Sequence, residues 1–126
     1  MLKKAPMLAA MVLLVSVAAQ LSSPTVGAAG KGDAKAGFEV YRKNCLRCHG
    51  EQGKGDGPAG RLLKVKPADW TDKARMSKLT DNDLFAVVSK GGTAVGRSAV
   101  MPGFGDKLKP QEISNVVAYV LQVAGR

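Results

Sequence analysis

Cys45-Leu46-Arg47-Cys48-His49 sets two thiols three positions apart, with an imidazole directly after the second. Thiols at this spacing can add across the two vinyl groups of one haem, and the adjoining histidine can then ligate its iron. The pattern is that of a c-type haem attachment site. The chain contains two cysteines and one histidine in all, so no other residues compete for the role. Other uses of the motif fit less well. A thioredoxin-like pair needs a βαβ setting and a helix-activated first thiol, whereas the residues before Cys45 read as helix and no strand pattern precedes them. A structural zinc site takes four Cys or His ligands, one more than the chain owns. A disulfide across two intervening residues closes a loop too short to stabilise much. The expected cofactor is one haem c, covalent through Cys45 and Cys48, with His49 as one axial ligand.

With a single histidine, bis-histidine ligation within the chain is impossible. The other axial position falls to a methionine, to a lysine, or stays open. Thioether sulfur favours ferrous iron and raises the reduction potential. Met1, Met7 and Met11 lie in a leader expected to be removed, which leaves Met76 and Met101. Met101 is favoured: Pro102 stiffens the chain beside it, and glycines at 96, 103 and 105 let the loop reach across a flat ligand. Met76 recurs with Leu79 on a short apolar stretch and reads as packing under the haem edge, methionine being a common filler of such gaps.

Helical elements must position these groups. Asp33 is a candidate N-cap for a helix to Asn44, with Phe38, Tyr41 and Cys45 on one face. Gly37 inside it costs up to about 1 kcal/mol, which points to another helix crossing there. Gly50 to Gly60 is a glycine-rich loop. Its literal GxGxxG at residues 55–60 lacks the preceding strand and following helix of a dinucleotide site. Thr80 and Asp83 resemble a capping box opening a helix over residues 81–90, with Leu84, Val87 and Val88 on one face and Gly91-Gly92 as its stop. The last helix starts with Pro110 in its first turn and runs to about Val123. Its stripe is Ile113, Val116, Val117 and Val120. Lys109 at its cap position cannot cap as Ser, Thr or Asp would, so stability there is expected from side-chain burial. β-Signals are weak throughout, and the expected class is all-α.

Residues 1–29 read as a signal peptide and small-residue cleavage region. Lys3 and Lys4 precede an apolar run from Leu8 to Ala19, followed by Val17-Ala18-Ala19 and Val26-Gly27-Ala28-Ala29 as exits. The run is shorter than the ~20 residues that span a bilayer. Residues 30–126 then form one small monohaem domain, in which a buried haem supplies apolar surface that a core of this size lacks. Export agrees with haem attachment, which takes place outside the cytoplasmic membrane. The whole chain carries 19 basic and 10 acidic residues; without Lys3 and Lys4 the balance is 17 against 10, or +7. Six basic residues (Arg61, Lys64, Lys66, Lys73, Arg75, Lys78) and two acids fall between 61 and 78. That segment is either an ordinary solvated face or a positive face that steers docking onto an acidic redox partner or an anionic membrane. An exported chain without interleaved aromatics gives no support to nucleic-acid binding.

Together these residues resemble the class I cytochromes c of the small bacterial monohaem type, over roughly Asp33 to Gly125. The resemblance rests on Gly37 and Tyr41 ahead of Cys45-x-x-Cys48-His49, on Met101-Pro102-x-Phe104, and on Val116-Val117-Ala118-Tyr119-Val120. Gly-x-Gly-Asp-Gly-Pro and Pro67-Ala68-Asp69-Trp70 are similar to the same group. It implies three main helices plus loops wrapped around one covalent haem, with the first and last helices crossing at Gly37. It also implies a monomeric periplasmic one-electron carrier, not an enzyme, cycling Fe(III)/Fe(II) between His49 and Met101. A haem subunit of a periplasmic or membrane-associated oxidoreductase complex is the alternative. In the family a carbonyl near a proline accepts the proximal histidine's other N–H, here near Pro58 or Pro67. Trp70 is implied either as an indole donor to a haem propionate or as a core aromatic.

Overall fold

The computed structural model describes residues 31–126, and the expected signal peptide at residues 1–29 lies outside them. Five α-helices follow one another: α1 (Ala34–Asn44), α2 (Leu46–His49), α3 (Lys73–Met76), α4 (Asp81–Lys90) and α5 (Pro110–Val123). Short 3-10 turns at Gly60–Leu62 and Gly92–Val95 interrupt the connecting loops. Among the described residues there is no strand, and no helix is long and apolar enough to cross a membrane. The all-α expectation and its three main helices, α1, α4 and α5, hold.

Local chemistry explains each boundary. The Asp33 carboxylate accepts the Ala36 N–H and starts α1. Thr80 and Asp83 form the reciprocal capping box of α4, and Gly91 ends that helix at φ +88°. At α5 the expectation needs amending. The Lys109 ammonium has no acceptor to offer, but the Glu112 carboxylate reaches back to the Lys109 N–H at 2.8 Å. Half a capping box therefore supports a start that burial was expected to support alone. Between Trp70 and Thr80, the Asp72 carboxylate accepts the Arg75 N–H and nucleates the short α3.

α1 and α5 cross at Gly37. A Cβ there would stand 1.9 Å from the Asn115 carbonyl oxygen, so only glycine permits the approach. Asn115 also accepts the Asp33 N–H through its side chain at 2.9 Å. Tyr41, Ile113, Val116, Val117 and Val120 fill the core beside this crossing, joined by Met76, Leu84 and Val88. Phe38, expected on the buried face, is instead 40% exposed and rests its ring on Tyr119 with centroids 5.4 Å apart. One turn along α1 from Tyr41, it reaches only the margin of α5.

Candidate haem site

The CxxCH motif forms a helix of its own. Cys45 terminates α1 and begins α2, and its carbonyl accepts the N–H of both Cys48 (3.1 Å) and His49 (2.9 Å). One turn of helix brings residues three apart to the same side, so the two thiols are neighbours. A helix this short leaves its carbonyls without internal partners. The glycine loop supplies them: Ala59, Gly57 and Gly55 donate to the carbonyls of Arg47, Cys48 and His49 at 2.9, 3.2 and 2.8 Å. The loop after the motif therefore folds back to hold it. Tyr41 adds a bond from its buried hydroxyl to the Gly50 carbonyl, tying the end of the motif to α1. Burial pushes that phenol well above its ordinary range, so it remains a donor.

Cys45, Cys48 and His49 line a cavity of about 600 Å³ whose wall also includes Trp70, Met101 and Pro102. Val87, Val88, Val117 and Val120 supply apolar surface from α4 and α5. Residues 45 and 101, distant in sequence, thus meet in one space. Met76 does not line it; it ends α3 and is buried in the core. Met101 stands on a loop fastened to α4, its carbonyl accepting the Gly92 N–H at 3.0 Å.

The electrostatics suit a metal ligand. Burial pushes the His49 pKa down to about 4, with the Ala68 backbone opposing the shift. The imidazole is neutral at physiological pH, the form that ligates metals. Its Nδ1 is sealed from solvent and has no partner at hydrogen-bonding geometry. Ala68, directly after Pro67, supplies the backbone that faces the ring. Of the two prolines considered, Pro67 is the nearer in chain to this contact. Burial, reinforced by Cys48, pushes the Cys45 thiol up to about 11. That is the reverse of an activated redox cysteine, whose pKa is depressed.

One contact lay beyond sequence reasoning. Trp70 stacks on His49 with ring centroids 4.5 Å apart and planes 23° from parallel, and its other neighbour is Tyr41 at 5.6 Å. Its backbone N–H is held by the Gly53 carbonyl at 2.8 Å. Trp70 is therefore both a core aromatic and part of the cavity wall. The 20 residues between His49 and Trp70 carry no periodicity that could announce the pair.

These residues suit a flat, apolar, metal-bearing group. The cavity falls within the ~300–1,000 Å³ of small-molecule and cofactor sites, its surface is largely hydrocarbon, and the paired thiols and neutral imidazole stand at its edge. Known proteins agree. Residues 32–120 match the family described as cytochrome C oxidase, cbb3-type, subunit III. Cytochrome c6 of Limnospira maxima is 36% identical over 93 residues, covering 74% of this chain and 96% of that protein. The cbb3-type cytochrome c oxidase subunit FixP of Azorhizobium caulinodans is 32% identical over 80% of this chain, which spans only 32% of FixP. Among solved structures, cytochrome c6 of the diatom Phaeodactylum tricornutum superimposes with a TM-score of 0.54 at 29% identity, over 75% of this chain and 97% of that one. Fold, site and similarity together make this chain a small class I monohaem c-type cytochrome, belonging to the family of cbb3-type cytochrome c oxidase subunit III. Its cofactor is haem c and its activity is electron transfer.

Proposed function

We propose that the chain is a periplasmic, freely diffusing one-electron carrier with both axial positions of its haem filled from within. The observation that carries this reading is the single cavity wall shared by Cys45, Cys48, His49 and Met101. In it, Cys45 and Cys48 form the thioether links, and His49 and Met101 ligate the iron. Since Nδ1 of His49 is sealed, Nε2 is the nitrogen available for ligation. Trp70 fixes the imidazole from one side and offers its indole N–H to a propionate. When bound, the haem supplies reversible exchange of one electron. The protein's part is to exclude water from the cavity, to hold its two ligands in place through both oxidation states, and to perform no substrate chemistry of its own. Residues 1–29 direct export and are removed.

The partner in this reading is a redox protein with an acidic docking surface. Support comes from the cavity rim. Lys66, Arg75 and Arg97 are among its lining residues, against a single acid, Asp83. Leu62, Val65 and Val100 are 86%, 61% and 54% exposed, and Val65 and Val100 belong to the same rim. A positive, partly apolar margin suits brief docking with an acidic counterpart. The carrier is a monomer between encounters.

Similarity to FixP favours a second reading, in which the same domain serves as the haem subunit of an oxidoreductase complex. The two readings separate in a simple experiment. The full chain is produced with a haem-maturation system, the periplasmic fraction is isolated, and the native mass is measured. A carrier elutes as a monomer of one polypeptide plus one haem, gives a reversible one-electron wave, and resists carbon monoxide when reduced. Retention in a stable membrane complex supports the subunit reading, and ready carbon monoxide binding refutes a filled sixth position.

A further inference from the structure

The last turn of α4 and the loop carrying Met101 are joined backbone to backbone. A helix leaves its final carbonyls without intrahelical partners. In α4 those of Val88 and Ser89 accept the N–H groups of Phe104 and Gly105, each at 2.9 Å. Just past the helix, the Gly92 N–H reaches the Met101 carbonyl at 3.0 Å. Met101 is thereby pinned at its own carbonyl and again three and four residues further on. The approach is closer than side chains would allow. A Cβ on Gly91, at φ +88°, would stand 2.9 Å from both the Met101 oxygen and the Gly103 nitrogen. A Cβ on Gly103 would stand 2.8 Å from the Ser89 oxygen and the Lys90 carbonyl carbon. These are backbone atoms, which cannot step aside as a flexible side chain can. Gly96 lies in the same loop at φ +68° and has nothing within 4 Å. Gly96 therefore takes no part in the seam, whereas Gly91 and Gly103 meet backbone across it.

We propose that the glycine-lined seam between α4 and the 101–105 loop sets how firmly Met101 is held toward the iron, which makes Gly91 and Gly103 positioning residues for the sixth ligand. The inference rests on the reading of Met101 as that ligand. The receiving surface is rigid, since α4 is capped at its start by Thr80 and Asp83 and anchored in the core by Leu84 and Val88. A loop lying flat on this helix end keeps the thioether in the cavity. A methyl group inserted into the seam lifts the loop, so the sulfur spends more time withdrawn. An added ligand then binds in proportion to that open fraction.

Ferric holoprotein titrated with imidazole tests this. Gly103→Ala and Gly91→Ala should each raise the apparent imidazole affinity by about tenfold or more, in proportion to the open fraction. Both should also weaken the far-red charge-transfer band of methionine sulfur on ferric iron and lower the midpoint potential. Gly96→Asn occupies a left-handed position that asparagine tolerates, and should match wild type in all three. A merely structural role would lower the melting temperature of the seam variants and leave imidazole affinity and potential unmoved; that outcome overturns the proposal. If Gly91→Ala yields no holoprotein, Gly103→Ala decides, since residue 103 has no positive φ to strain. Met101→Ala separates the two readings. A band that persists in it means that Met101 is not the ligand. A band lost there, with both glycine variants indistinguishable from wild type, means that the seam alone has been misread.

Discussion

Met101 and Met76 are chemically identical and only 25 positions apart, yet their surroundings differ. Met101 lines the cavity and Met76 is sealed in the core. Met101→Ala is expected to abolish the far-red band of the ferric protein and to lower the midpoint potential, because a sulfur donor favours ferrous iron. Met76→Leu, a near-isosteric change costing less than about 1.5 kcal/mol, should leave both unchanged. Absorption spectra and voltammetry of the two variants check the assignment, and loss of the band in Met76→Leu would reverse it. Trp70 can be dissected in the same way. Trp70→Phe keeps an aromatic face against His49 but removes the indole N–H, whereas Trp70→Ala removes both. An aromatic pair contributes about 0.5–1.5 kcal/mol beyond area burial, so Trp70→Ala should melt at lower temperature than Trp70→Phe. Equal melting temperatures would mean that the stack with His49 contributes nothing.

The crossing of α1 and α5 is where a change of one methyl group tests a whole interface. On propensity alone, Gly37→Ala should stabilise a helix interior by up to about 1 kcal/mol. Its new Cβ, however, would meet the Asn115 backbone at 1.9 Å, and overpacking of this kind costs about 1–3 kcal/mol. The sign of the change decides which effect wins, and a net loss in denaturant midpoint of the holoprotein is expected. An increase would mean that the two helices can part without cost. This crossing was legible in the sequence because a glycine inside a strong helical pattern demands an explanation. The capping box at Thr80 and Asp83 and the stripe on α5 were legible for the same reason, each being a local pattern with a local cause. Other features were not. The Glu112 bond that starts α5 sits at the third helical position, where a reading fixed on Lys109 overlooked it. The short α3 was announced by Asp72 alone, too brief for periodicity to register. Phe38 follows the helical repeat but reaches only the margin of α5, at Tyr119. The stack of Trp70 on His49 and the Ala68 backbone facing that ring, the latter expected near Pro58 or Pro67 only through the family resemblance, arise from folding a long loop back upon the motif. No local spacing encodes them.

Haem and surface charge act on the molecule as a whole. Without haem, the cavity of about 600 Å³ would present apolar wall residues such as Val87, Val88, Val117 and Val120 to water, and a domain this small has little other core to offset that exposure. Cys45→Ala and Cys48→Ala chains that acquire no haem should therefore be largely disordered by circular dichroism, and a cooperative melt of the apo chain would contradict this. In the proposed reading, docking depends instead on the basic residues between 61 and 78. Exposed charges are screened beyond about 8–10 Å near physiological salt, so electron transfer to an acidic partner should slow as ionic strength rises. Lys64 and Lys66 are exposed, and reversing both to Glu should lower the association rate more than the electron-transfer step within the complex. The absorption spectrum should stay as it is, since neither lysine reaches the iron in this reading. Net charge alone would change equally if Lys31 and Lys35 were reversed, a pair remote in sequence from the cavity-lining segment. Stopped-flow rates for both double variants across a salt series distinguish local steering from bulk charge. A steep loss confined to the Lys64/Lys66 pair supports docking at the cavity rim; equal losses for the two pairs would make residues 61–78 no more than a solvated face.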